Sequence, residues 1–169
     1  MRTNTFVLSE KYPDRKIRVI DTLCASLGQG LLVDLAVREQ RKGKTIEEVR
    51  DYVEATKGQI HHWVTVGNLT QLRRGGRLSA TAAMAGSLLN IKPFITLNDG
   101  IIEVAGKARG LRRGNAMMNE QVELSGGVDP DMPMLMGYTG LTDELLRAYL
   151  DGNDLWPADV AVSPLGSTI

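Results

Sequence analysis

Seven cations crowd one stretch of this sequence: Arg73, Arg74, Arg77, Lys107, Arg109, Arg112 and Arg113. Arginine holds carboxylate or phosphate through two parallel N–H donors, so converging arginines point to recognition of an anion. The sharpest feature lies among them. Gly75-Gly76 precedes Arg77, and Leu78-Ser79 follows. Adjacent glycines reach positive φ at little steric cost, which predicts a preformed turn. Arg77 would then project from a backbone concavity whose N–H groups could face an anion. Ser79 is placed to cap a following helix and bring up the positive end of its dipole. The same residues also read as a helix C-cap followed by a solvated arginine, and the spacing does not separate the two.

Other chemistries find less support. Ser26-Leu27-Gly28-Gln29-Gly30 follows an expected strand and opens a helix, but a dinucleotide loop needs a third glycine where Val33 stands. No Gly-Lys-Ser or Gly-Lys-Thr closes a phosphate loop. His61 and His62 are neighbours in an expected strand, so they point to opposite faces and cannot chelate one metal; one is expected inward and one exposed. Cys24 has no histidine in a nucleophile context and reads as a buried, inert thiol. Glu47-Glu48 and Asp143-Glu144 sit where first helical turns begin, which suits the helix dipole rather than acid–base catalysis. No catalytic set and no metal site emerge.

The elements that must position the cations follow from periodicity. Ile17–Asp21 reads as a strand. An amphipathic helix then presents Leu31, Leu32, Leu35 and Ala36 on one face and ends at Gly43. Thr45 and Glu48 have capping-box spacing ahead of a second helix with Val49, Tyr52 and Val53 on its apolar side. Ile60–Val66 reads as a strand, and Asn68–Arg74 as one or two helical turns. Ala80–Leu89 is apolar or small at nearly every position, the pattern of a helix buried on most sides. Ile91–Leu97 and Ile101–Ala105 flank Asp99-Gly100, the strongest hairpin signal present. A helix is expected over Leu111–Leu124, a strand over Met134–Tyr138, a helix over Thr142–Leu150 capped by Thr142, and a strand over Asp159–Val162. This is an α/β pattern with a mixed sheet flanked by helices.

At 169 residues, 43% hydrophobic and 24% charged, the composition is that of an ordinary globular domain. Zero net charge leaves no global field to draw nucleic acid or an anionic membrane, so anion recognition must be local. A single cysteine excludes an internal disulfide framework, and no window approaches the roughly 20 apolar residues of a membrane span. A cytoplasmic location is expected.

The ordered blocks Val19-Ile20-Asp21-Thr22, Ala25–Gly30, Leu72…Gly75-Gly76-Arg77-Leu78-Ser79, Leu88-Leu89-Asn90-Ile91-Lys92-Pro93, Asp99-Gly100 and Lys107-Ala108-Arg109 closely resemble the DegV family of bacterial fatty-acid-binding proteins. The resemblance runs from about Leu8 to Ile169. It implies the second of two α/β domains, with residues 1–16 as a remnant of the first domain and linker, and 17–169 as a second domain incomplete at its C-terminus. The first domain's Thr-Ser-Gln-Pro and Ser-Gly-Thr segments are not in this sequence, nor is the His-x-Gly-Pro-Gly that follows the family's Leu-Gly-Ser-Thr-Ile. Gly67-Asn68 stands where the family usually has acidic residues.

The resemblance further implies a carrier and not an enzyme. It would present a long-chain fatty acid to a fatty acid kinase for acyl-phosphate formation and phospholipid synthesis, with no cofactor, no nucleic acid and no integral membrane association. Arg77 and Arg109 match arginines at the mouth of the family's site, where they would meet the kinase or the acyl-phosphate, with Ser79 as the adjoining helix cap. Met84, Leu88, Ile91, Phe94 and Ile95 match segments facing the acyl tunnel or the core behind it. A chain with this extent is expected to bind lipid poorly and to dimerise through an exposed apolar face. The competing readings are an enzyme or sensor using the Arg77/Arg109 cluster for a phosphorylated small molecule, and an inactive remnant or split-gene product.

Overall fold

The structure, a computed structural model, describes residues 10–66, 69–77, 91–151, 153–157 and 160–166. The expected helix over Ala80–Leu89, and with it Ser79, Met84 and Leu88, lies outside the described residues. The chain forms two compact units, residues 1–60 and 61–169.

The first unit is a helical pair. Helix α1 spans Ser26–Arg41 and buries Leu32 and Leu35, the centre of the apolar stripe expected there. The Ser-Leu-Gly-Gln-Gly segment is its first turn rather than a phosphate loop. Gly43, at φ 85°, reverses the chain after it. Helix α2, Ile46–Thr56, starts with the expected capping box: the Glu48 amide donates to Thr45 Oγ1, and the Thr45 amide donates to the Glu48 carboxylate at 2.8 Å. A 3-10 turn over Lys57–Gln59 closes the unit. Ile17–Asp21, expected as a strand, is irregular. Three of its five residues are β-branched, but no described strand pairs with it, and an unpaired strand leaves its ladder donors and acceptors unmet.

The second unit is built on an antiparallel sheet of order β1-β2-β3. Strand β1 is Trp63–Thr65, shorter than the expected Ile60–Val66; β2 is Ile91–Asn98 and β3 is Ile101–Arg109. Asp99 and Gly100 both take positive φ, 47° and 77°, as a two-residue type I′ hairpin requires. The expected hairpin is present, and β3 runs four residues further than its sequence pattern suggests. Short helix α3, Thr70–Arg74, precedes β2, and helix α4, Gly110–Leu124, follows β3 and packs against all three strands. A parallel pair joins β4, Leu135–Tyr138, to β5, Ala161–Pro164, with helix α5, Glu144–Leu150, in the connection. Asp143, not Thr142, is the N-cap of α5, and no side chain caps it. Asp143 is held instead by an ion pair with Arg147.

Candidate ligand-binding face

The pleat of the three-stranded sheet decides which residues share a surface. Thr65, Phe94 and Gly106 are register partners, as are Lys92 and Ala108. The surface they share lies under α4. A Cβ on Gly106 would fall 2.5 Å from Met117 Cε, and one on Gly114 would lie 3.8 Å from Ala108 and 3.9 Å from Thr65. Phe94, almost fully buried, stacks on Trp63 at 5.4 Å with the rings 5° from parallel. Phe94, one of the apolar residues named from the resemblance, is therefore packed in the core on the α4 side of the sheet.

A bulge then changes the register. Phe94 opposes Gly106 but Ile95 opposes Val104, so Ala105 is the extra residue and Val104 turns to the opposite face with Ile95. That face carries a cluster of Leu69, Ile95, Val66, Leu72, Ile102 and Val104. Two register pairs extend the same face toward the other end of the hairpin, Pro93 with Lys107 and Ile91 with Arg109. The face is thus apolar, buried at Pro93 and Ile95 and half-buried at Ile91, Ile102 and Val104, and ends in two exposed cations. Ile91 and Ile95 share it with Arg109, and Leu72 brings α3 onto it.

Arg77 lies three residues past the last residue of α3, in its capping turn. The Gly76 amide donates to Arg73 O (3.0 Å) and the Arg77 amide to Leu72 O (2.9 Å), the paired bonds of a Schellman cap, with Gly76 at φ 70°. These N–H groups are engaged by helix carbonyls and do not form an open anion-binding concavity; of the two readings of this turn, the backbone adopts the C-cap. The Arg77 guanidinium is exposed and bonds back to Gly75 O. Arg109, also exposed, is the N-cap residue of α4.

Arg112 and Arg113 follow Arg109, and the first turn of α4 contains no acidic residue. A helix N-terminus repels cations by about 0.3–1 kcal/mol each in exposed positions. Three arginines held there enter no ion pair among the described residues, and neither do Arg73, Arg74 and Arg77. A bound anion would relieve this repulsion. Ile91, Ile95 and Arg109, named from the sequence, share this face with Leu69, Leu72, Pro93, Ile102 and Val104, which were not. The period-2 pairing of Ile91, Pro93 and Ile95 was a readable signal for Pro93; the bulge that brings in Val104 and Ile102 was not.

His61 is exposed and His62 half-buried, both just ahead of β1. Among the described residues no group of three or more His, Cys, Asp or Glu side chains is arranged to hold a metal, and no helix is long and apolar enough to cross a membrane. Cys24 is half-buried, and burial pushes its thiol up against the opposing pull of Lys57, so it is protonated at neutral pH.

The family described as "Uncharacterised protein, DegV family" matches residues 2–169. A DegV domain-containing protein of Clostridium perfringens is 45% identical over 117 residues, covering 69% of this chain and 40% of the relative. Another from Streptococcus pyogenes serotype M3 is 34% identical, covering 96% of this chain and 57% of the relative. The chain therefore spans about half the length of the curated relatives it matches.

Among solved structures, the fold is similar to a fatty acid binding DegV family protein from Streptococcus agalactiae, with 27% identity, TM-score 0.79 and coverage of 97% and 58%. It is similar also to a DegV family protein from Eubacterium eligens loaded with heptadecanoic acid, with 22% identity, TM-score 0.85 and coverage of 99% and 60%. A third likeness is the Fatty Acid Kinase (Fak) B3 protein of Streptococcus pneumoniae loaded with linoleic acid, at 23% identity, TM-score 0.82 and coverage of 96% and 58%. The last two likenesses carry the fold alone. A family match along nearly all of the sequence, joined by these relatives, establishes that the chain belongs to the DegV family.

Proposed function

We propose that this chain binds a fatty acid on the sheet face opposite α4 and serves as a carrier rather than an enzyme. The observation that carries the reading is that one face joins half-buried Ile91, Ile102 and Val104, backed by buried Pro93 and Ile95, to the exposed cations Lys107 and Arg109. An amphiphile with a long tail and one negative head has the same division. The similar protein from Streptococcus agalactiae is named as fatty acid binding, which supports this choice over a phosphorylated metabolite. A phosphorylated metabolite would leave the apolar face without a use.

Arg109, with Lys107, then acts at the head end, and the exposed Arg77 is a further cation for the carboxylate, its phosphorylated product or the acidic surface of a fatty acid kinase. The kinase reading rests on the family resemblance. Such a partner, an acyl ligand and zero net charge are consistent with work in the cytoplasm.

Affinity should be low for the chain by itself. Each methylene withdrawn from water contributes about 0.8 kcal/mol, and a single sheet face covers one side of a tail. Octanoate, soluble well above its expected dissociation constant, is therefore the suitable probe. Its titration into the isotopically labelled chain should give saturable amide and methyl shifts at Ile91, Ile95, Val104 and Arg109 and little change along α4. Shifts confined to α4, or a response that never saturates, would remove the reading. Inorganic phosphate producing the larger saturable shifts at Arg77 and Arg109 would favour the metabolite instead.

A further inference from the structure

A second site lies in the 61–169 unit, away from the sheet. The segments before β4 and after α5 enclose an open cleft of about 290 Å³, walled by Val128, Pro130, Met134, Leu155, Trp156 and Pro157, with Asp154 as the one charged lining residue. The size is at the small end for ligand sites and suits a few heavy atoms rather than an acyl tail.

One wall is fixed by hydrogen bonds. Trp156 Nε1–H donates to Tyr149 Oη (2.9 Å), and Tyr149 Oη–H donates to Asn119 Oδ1 (2.7 Å). Asn119 and Asn153 also join through their amides, and the Leu155 amide donates to Asn153 Oδ1 (3.3 Å). The polar edge of the indole is thus satisfied inside the protein, on a chain of bonds that reaches α4. What Trp156 offers the cleft is aromatic carbon surface, held in place before any ligand arrives.

The sequence that builds it is strongly acidic. Between residues 114 and 169 there are nine acidic residues and a single basic one, Arg147. Arg147 is tied to Asp143 at 2.7 Å. Asp129 and Asp131 flank the lining residue Pro130, and Asp154 enters no ion pair among the described residues. An aromatic ring, aliphatic walls and a carboxylate outside any ion pair among the described residues together select one kind of guest, a cation with an apolar body.

We infer that this cleft binds a small organic ammonium, its alkyl part against Met134, Leu155 and Trp156 and its charged head at Asp154. Indole and carboxylate share the attraction, so a neutral molecule of the same shape loses most of it. The site is independent of the fatty-acid face and would survive the failure of that reading.

The test uses the whole chain and the two tryptophan indole N–H signals, those of Trp63 and Trp156, in a proton–nitrogen correlation spectrum; a Trp63→Phe variant assigns them. Titration with n-butylammonium chloride should move the Trp156 signal along a saturating curve in the millimolar range while the Trp63 signal stays in place. Sodium chloride at equal ionic strength should leave both unmoved, and n-butanol should bind at least about tenfold more weakly. Asp154→Asn should weaken n-butylammonium binding about tenfold, equivalent to ~1.4 kcal/mol. Asp154 is exposed, and an unmoved Trp63 signal in that variant verifies its fold. Equal binding of n-butanol and n-butylammonium, an effect reproduced by sodium chloride, or full binding by Asp154→Asn would each overturn the assignment.

Discussion

The two units treat charge in opposite ways. In the helical unit, among the described residues, cations sit on carboxylates: Arg18 on Glu47, Arg38 on Asp34, Lys42 and Lys44 on Glu39, Arg50 on Glu47 and Asp51, and Lys57 on Glu54. In the sheet unit Arg147–Asp143 is the one such pair among the described residues. The cause is in the order of the residues. Helices α1 and α2 mix both signs at three- and four-residue spacing, which places partners side by side. Residues 61–113 carry eight basic side chains and two acidic ones, Asp99 and Glu103, so the arginines have few local partners. Exposed pairs stabilise little, about 0.2–1 kcal/mol each, but they occupy the charge. The sheet unit leaves its charge available to a ligand or partner, and zero net charge for the whole chain conceals this.

The contrast presumes that each unit holds together by its own packing, and the largest expected effect tests that. Ile95 is 5% exposed within its cluster, and Ile95→Ala should destabilise the sheet unit by about 2–5 kcal/mol. Both tryptophans lie in residues 61–169, so their fluorescence follows that unit alone during urea unfolding, while the helical signal follows both. The tryptophan transition should move to lower urea and a helical phase from α1 and α2 should remain. If both signals shift together, the chain unfolds as one, and the two charge regimes belong to one cooperative structure. A smaller loss is expected on the opposite face. Gly106→Val places atoms against the mobile end of Met117, costing about 1–3 kcal/mol as that side chain is displaced. Pairing it with Met117→Ala should recover part of the loss in a double-mutant cycle.

In the helical unit the sharper probe is acid. Glu39 is 4% exposed, and hydrogen bonds from Lys42 and Lys44, each at 2.6 Å, hold its carboxyl below the usual carboxylate range. Glu47 and Glu48 are held down as well, by Arg18 and by the Thr45 cap. With the folded values depressed, the unfolded chain binds more protons as pH falls past the ordinary glutamate value of about 4.3. Stability from these groups is complete above that value and disappears as pH drops through the folded ones. Helical signal should therefore be lost in acid, and Glu39→Gln, which removes one titrating group, should flatten that pH dependence while lowering stability at neutral pH. An unchanged slope would show that the lysine pairs contribute nothing net.

What was legible in the sequence was local. The hairpin could be read because Asp99-Gly100 demands a type I′ turn whatever surrounds it, and the cap of α2 because Thr45 and Glu48 reach each other across one turn. The Ile17–Asp21 strand failed because β-branched composition says nothing about whether a partner strand exists. The proposed site was legible in residue type only as an expectation, and its side of the sheet was not. Phe94 and Ile95 are equally apolar, and only the bulge at Ala105 settles what each one meets across the sheet. The turn at Gly75-Gly76 was ambiguous for a similar reason: a Schellman cap and an anion-binding concavity use the same glycines, and the length of α3 decides where the N–H groups go.

The smallest expected effect on stability is the one that separates the units most clearly. Arg109 is exposed and enters no ion pair among the described residues, and its neighbours in the first turn of α4 are like charges. Arg109→Ala should therefore change the free energy of unfolding by no more than about 0.5 kcal/mol, the range of surface substitutions away from special features. Relief of repulsion at the helix N-terminus makes a slight gain the expected sign. The same variant should lose octanoate affinity severalfold, since the head group then keeps Lys107 alone on that face. Arg50→Ala in α2 should show the reverse, a measurable loss of stability from its two ion pairs and no change in ligand affinity. Denaturant unfolding and octanoate titration on both variants form a two-by-two test. If Arg109→Ala destabilises as much as Arg50→Ala, the arginine is serving the fold through contacts of its own, and the distinction between occupied and available charge fails where it matters most.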